Sequence, residues 1–148
     1  MIITSSAFDE GGTIPKKFTC SGGDINPELL IQNVPEEAKS LALILYDPDA
    51  PMIGGFTHWT VWNIDPRTSI IKEESIPPGS IEGENGAGRT GYAGPCPPPG
   101  AAHHYHFCLY ALNAPIDLAD GASVADLQRE IDARRIAKAE LVGLYGRS

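Results

Sequence analysis

The sequence is short of apolar runs: none approaches the ~18 residues that a membrane-spanning helix needs, so a helical integral membrane protein is not expected. Its first residues, Met1-Ile2-Ile3-Thr4-Ser5-Ser6, lack a basic region followed by a long apolar one, so no signal peptide is read and the cytoplasm is the expected location. Cysteine is scarce. Cys20, Cys96 and Cys108 make an odd count with no CxxC, which points to reduced thiols rather than a disulfide framework or a zinc knuckle. Positive charge is also scarce, with 11 Lys and Arg against 19 Asp and Glu and a formal net charge of −8. Such a surface repels nucleic acid and anionic membranes, so any anion must be caught locally. There is no Gly-x-Ser-x-Gly elbow, Walker loop or HExxH, and Cys96 has no sequence context for a thiol nucleophile. Neither enzymatic activity nor a cofactor is expected.

What is abundant is Gly (16) and Pro (13) in 148 residues, which favours many turns and short strands over a helical bundle. The length suits one domain, residues 1–148, large enough to bury a core. Alternation marks a first strand over Ile2 to Ala7, and Ile14 to Thr19 reads as a continuation of the sheet. A half-buried strand follows over Glu28 to Val34, and a central strand over Leu41 to Tyr46. Thr57 to Ile64 is β-branched and aromatic; strict alternation puts His58, Thr60, Trp62 and Ile64 on one face and Trp59 and Val61 on the other. His103 to Leu112 alternates in the same way, with His103, Tyr105, Phe107 and Leu109 opposite His104, His106, Cys108 and Tyr110. Ser123 and Asp126 form a capping-box-like start to a helix over Val124 to about Arg135, and residues 137–146 read as a final strand.

Between Asp65 and Gly100 lies a long Gly- and Pro-rich stretch with one short apolar pair, Ile70-Ile71; a loop of that length inside a compact domain reads as the rim of a site. Gly86-Ala87-Gly88-Arg89-Thr90-Gly91 matches GxGxxG, but it neither follows a buried strand nor opens a helix, so the match is accidental. The stretch that organises the rest is Asp47-Pro48-Asp49-Ala50-Pro51, a proline-stiffened acidic turn followed by His58-Trp59. If the strands carrying Asp47, His58 and His103 are neighbours, two carboxylates, two imidazoles and the Tyr105 hydroxyl converge beneath the Gly94 to Gly100 loop, whose backbone N–H groups near Gly94 are open to an anion. A carboxylate on one imidazole nitrogen fixes the tautomer, raises the pKa and leaves the other nitrogen to donate to a phosphate oxygen. A metal is the rival reading, since His103, His104 and His106 are close. Alternation sends His104 and His106 away from His103, which argues against it.

Four ordered motifs, Asp-Pro-Asp-Ala-Pro at 47–51, Gly-Gly-Phe-Thr-His-Trp-Thr-Val-Trp-Asn-Ile at 54–64, Gly-Tyr-Ala-Gly-Pro-Cys-Pro-Pro-Pro-Gly at 91–100 and His-His-Tyr-His-Phe-Cys-Leu-Tyr-Ala-Leu at 103–112, resemble the phosphatidylethanolamine-binding protein family, and in particular its prokaryotic Raf-kinase-inhibitor-like branch. The resemblance implies a mainly β protein: an antiparallel β-sandwich with Greek-key connections and one or two short peripheral helices. It implies a small pocket for phosphate-bearing headgroups built from Asp47, Asp49, His58, Gly94, Pro97, Pro98, His103 and Tyr105. The implied partners are a small anionic ligand, a kinase or serine protease inhibited through surface loops, and, from prokaryotic relatives, a second copy in a homodimer. An uncharacterised hydrolase is the remaining alternative. His104 stands where eukaryotic relatives carry Arg, and the chain stops soon after Tyr145 without their extra C-terminal helix, which implies a more open site.

Overall fold

The structure, a computed structural model, describes all residues from Met1 to Ser148. Its central layer is a five-stranded antiparallel sheet in the order β6-β4-β3-β7-β8, where β3 is Ser40–Asp47, β4 Phe56–Ile64, β6 Ile81–Glu82, β7 His103–Leu112 and β8 Arg135–Tyr145. A smaller antiparallel sheet pairs β1 (Ile2–Thr4), β2 (Leu29–Gln32) and β5 (Ile70–Ile71) in the order β1-β2-β5. Within the large sheet β3, β4 and β6 lie side by side in chain order and β7 returns to the free edge of β3, which is a Greek key.

Why Leu41 to Tyr46 is apolar throughout instead of alternating follows from the layers. Leu41, Leu43 and Leu45 face the small sheet, sharing a core with Ile3, Leu29, Ile31, Ile71, Trp59, Val61, Phe107 and Leu109. Ala42 and Ile44 face the other way, into a second core with Trp62, Cys108, Tyr110 and Leu112 that is roofed by Leu127 and Ile131 of the single helix α1 (Val124–Arg134). With both faces of β3 covered, each of its leucines is fully buried and stabilises the fold by roughly 1.5–3 kcal/mol. The helix begins as its sequence predicts, with the Ser123 hydroxyl accepting from the Asp126 amide at 3.2 Å, and Glu130 pairs with Arg134 one turn on at 2.8 Å. The final segment is a strand from Arg135 to Tyr145, paired with β7 along its length.

Three expectations need correction. Ile14 to Thr19 does not continue the sheet: after one bridge at Thr13, Lys16–Phe18 turn as a 3₁₀ helix led in by Pro15, which has no amide to give a ladder. The alternation of β4 is broken twice. The register against β3 slips by one residue between Leu45–Trp59 and Tyr46–Thr57, leaving His58 as an extra residue, and slips again near Asn63, which sits at φ 55°. Ile64 consequently joins Trp59 and Val61 in the first core and Trp62 alone enters the second. Finally, the cysteines are not all thiols. Cys20 and Cys96 form a disulfide across 76 positions, and only Cys108 is free, buried, with its thiol pushed up to about 12 by burial and then by the hydrogen bond to Glu140. Odd number and spacing carry no information about a bridge between two loops so far apart in the chain.

Candidate functional site

Asp47 ends β3 on the face of Leu41, Leu43 and Leu45, and β3 lies between β4 and β7, so its carboxylate is flanked by a side chain from each neighbour. Its Oδ2 accepts from His103 Nδ1 at 2.7 Å and its Oδ1 from the Asp49 amide at 2.8 Å, which closes the turn that Pro48 and Pro51 stiffen. The return of that turn depends on Gly55: it is at φ 75°, and a Cβ there would stand 2.5 Å from the Asp47 carbonyl oxygen.

The bulge turns His58 to the same side as Trp59. Its Nδ1 donates to the Ala93 carbonyl at 2.7 Å, its ring lies 4.6 Å from that of Phe56 and meets Tyr105 edge-on at 5.3 Å. The expected carboxylate partner is therefore a backbone carbonyl, and burial dominates: the imidazole pKa is lowered, not raised, with the Ala93 carbonyl only partly offsetting desolvation. Each imidazole has Nδ1 engaged with the wall, which leaves Nε2 for the cavity. Tyr105 is fully buried, its hydroxyl has no partner in the protein, and burial pushes its pKa up, so it stays a neutral donor.

These groups line one cavity of about 530 Å³. Asp47, His58, Gly94, Pro97, Pro98, His103 and Tyr105 all contribute to it, and of the expected residues only Asp49 does not. Asp49 instead holds the turn to β7: its Oδ2 accepts from both the amide and Nδ1 of His104, at 2.8 and 2.7 Å, bonds that lower its pKa. Gly94 plays a different part from the one expected. Its amide is not open to an anion but donates to Asp24 Oδ1 at 2.7 Å, and a Cβ there would fall 2.5 Å from that oxygen and 2.6 Å from the Phe18 carbonyl. The glycine lets two loops touch, and the disulfide and the Cys20 amide, which donates to the Pro95 carbonyl at 3.1 Å, hold them together.

Sequence reasoning missed Asp24, the Cys20–Cys96 disulfide, Arg89 and Arg147, all in the cavity wall. Cys96 lies inside the motif at 91–100, which gave no sign of its pairing with Cys20, and Asp24, Arg89 and Arg147 stand outside all four motifs. The wall holds two carboxylates, Asp24 and Asp47, and two guanidiniums, so its fixed charges cancel before any histidine protonates. Both carboxylates accept bonds within the wall, whereas Tyr105 OH and Arg147 Nε are buried without partners. Tyr105 OH and Arg147 Nε are thus donors without acceptors in the protein, while the neutral His58 ring, with its proton on Nδ1, presents Nε2 to the hollow as an acceptor. No group of three or more His, Cys, Asp or Glu side chains is arranged to hold a metal ion.

The family model described as Phosphatidylethanolamine-binding protein matches residues 4–146. The chain belongs to the phosphatidylethanolamine-binding protein family. It is 48% identical to the UPF0098 protein PH1269 of Pyrococcus horikoshii over 150 residues, covering 97% of this chain and 75% of that one. It is 44% identical to a UPF0098 protein of Methanothermobacter thermautotrophicus, covering 99% of each. Among solved structures, the phosphatidylethanolamine-binding protein homologue CT736 of Chlamydia trachomatis superposes with a TM-score of 0.93 at 41% identity, covering 99% of this chain and 97% of that one. E. coli YbcL, described as a member of the mammalian family, gives 0.93 at 33% identity, covering 99% and 98%. Family membership accounts for the two-sheet sandwich and the single helix, and the fold expected from the four motifs is the fold observed.

Proposed function

We propose that this member of the phosphatidylethanolamine-binding protein family is a non-enzymatic binding protein whose cavity takes a small oxyanion, a phosphate or a phosphorylated headgroup. One observation carries the reading: imidazoles from β4 and β7, the unpartnered Tyr105 hydroxyl and an arginine surround a hollow whose carboxylates are already spent on its own walls. An arginine without a carboxylate partner and a neutral phenol favour a bound anion, and an imidazole whose Nδ1 is engaged donates to it from Nε2 when the ring is protonated. The cavity offers no thiol nucleophile: both of its cysteines are joined in the disulfide, and Cys108 faces the helix side of the sheet.

The test is a titration of His58 and His103 ring signals by NMR with inorganic phosphate and with phosphoethanolamine. Both are expected to shift on addition, and His58→Ala to abolish the response; no change at millimolar ligand refutes the reading. A second reading, inhibition of a kinase or serine protease through surface loops, is favoured by two exposed apolar side chains, Met52 at the cavity and its neighbour Ile53, which is completely exposed. It predicts inhibition that survives His58→Ala and is lost when loop residues are changed. The Cys20–Cys96 disulfide weighs against the cytoplasmic location expected from the first residues, since such bonds persist mainly in oxidising compartments.

A further inference from the structure

We infer that Arg147 is the residue that fixes the anion and gives the cavity its preference for oxyanions, an assignment that rests on the anion-binding reading above. Arg147 lines the cavity and takes part in none of the ion pairs of the molecule. Its Nε is buried with nothing to donate to. A guanidinium is charged at every working pH, and with no carboxylate paired to it Arg147 leaves that charge at the cavity wall for a counter-ion from outside the chain.

The side chain is also held in place without being neutralised. Its backbone bridges to Pro99, and its carbonyl accepts from the Gly100 amide at 3.0 Å, so the proline loop carries it. Its Nη1 lies 3.9 Å from Sγ of both Cys20 and Cys96. Disulfide sulfurs are uncharged and weak acceptors, so they seat the guanidinium sideways while leaving its charge and its Nε free. Tyr105, the other buried unpartnered donor, feels that charge, which opposes the effect of Asp47 and Asp49 on its phenol. Arg89, the second cavity guanidinium, is exposed and has no such seat. A guanidinium offers parallel N–H groups that fit two oxygens of one phosphate or carboxylate, a match that neither a lysine nor a spherical anion reproduces.

The experiment is calorimetric titration of inorganic phosphate into the wild type, Arg147→Gln and Arg147→Lys, first in chloride-free buffer and then with chloride as competitor. Thermal midpoints and the His58 and His103 ring signals report whether each variant is folded. Arg147→Gln is expected to weaken phosphate binding about ten-fold or more, the worth of a charge-assisted pair of hydrogen bonds. Arg147→Lys is expected to recover part of the affinity but not the preference for phosphate over chloride. If the wild type binds phosphate and Arg147→Gln binds it within two-fold, the assignment is wrong and the anion-binding reading stands. If Arg147→Gln does not fold, Arg147→Lys decides: unchanged affinity together with unchanged selectivity overturns the role of the fork. If the wild type binds no phosphate, the anion-binding reading fails and takes this assignment with it.

Discussion

Opening the Cys20–Cys96 bond removes a cross-link that spans 76 positions, about half the chain. In the loop-closure description, that span restricts the unfolded ensemble by about 4.5 kcal/mol at 25 °C, with 2–4 kcal/mol the usual measured range. The native state has less to lose. The two loops remain joined by the Cys20 amide to the Pro95 carbonyl at 3.1 Å, the Gly94 amide to Asp24 at 2.7 Å and the Tyr92 hydroxyl to the Phe18 carbonyl at 2.7 Å. The effect therefore falls on the unfolded chain, and a reduced protein keeps its fold while losing stability. For a chain of 148 residues a loss of that size lowers the thermal midpoint by roughly 10 °C. The assay is urea unfolding of the wild type and of Cys20→Ser/Cys96→Ser, with thiol counting on the denatured wild type. One reactive thiol per chain, Cys108, and a loss above about 2 kcal/mol in the double variant are expected. Three thiols and a loss below about 1 kcal/mol refute the reasoning and restore the reduced state that cysteine number and spacing suggest.

Two further outcomes follow from the geometry of the wall. His58 has its pKa lowered by burial, so the unfolded chain binds a proton that the native chain resists. Its contribution to stability is complete above the unfolded value of about 6.5 and is lost as pH falls below it toward the native value. Urea midpoints measured from pH 7.5 down to pH 5 should fall more steeply for the wild type than for His58→Gln, and equal slopes would contradict the sign. Gly94→Ala forces a Cβ to within 2.5 Å of Asp24 Oδ1 and 2.6 Å of the Phe18 carbonyl, so the two loops must part. The expected cost is about 1–3 kcal/mol, with the His58 pKa rising because water relieves the desolvation that outweighs the Ala93 bond; a variant as stable as the wild type, with His58 titrating unchanged, rules this out.

Much of the fold was legible because burial imposes a period. The pattern of β7 sorted His103 and Tyr105 from His106 and Cys108, and the cores on the two sides of the sheet respect that division. Asp47 could be placed beside the leucines of β3 by parity alone. The cap at Ser123 is local chemistry and needed nothing from the rest of the chain. What alternation cannot carry is its own interruption. In an unbroken strand adjacent residues point to opposite faces, so His58 and Trp59 cannot both look toward the small sheet. The slip in register against β3 lets them: Trp59 stays opposite Leu45 in the core while the extra residue, His58, turns into the cavity. The Asn63 slip had one sequence hint, an asparagine, which tolerates positive φ; its side chain exchanges two 2.8 Å bonds with the backbone of Ile116 and so secures the bend. At His58 there was none, because a bulge is fixed by what lies across the sheet. Placing a polar ring on a strand without taking an aromatic out of the core requires such a slip, so the departure from the pattern falls at the residue on which the cavity depends.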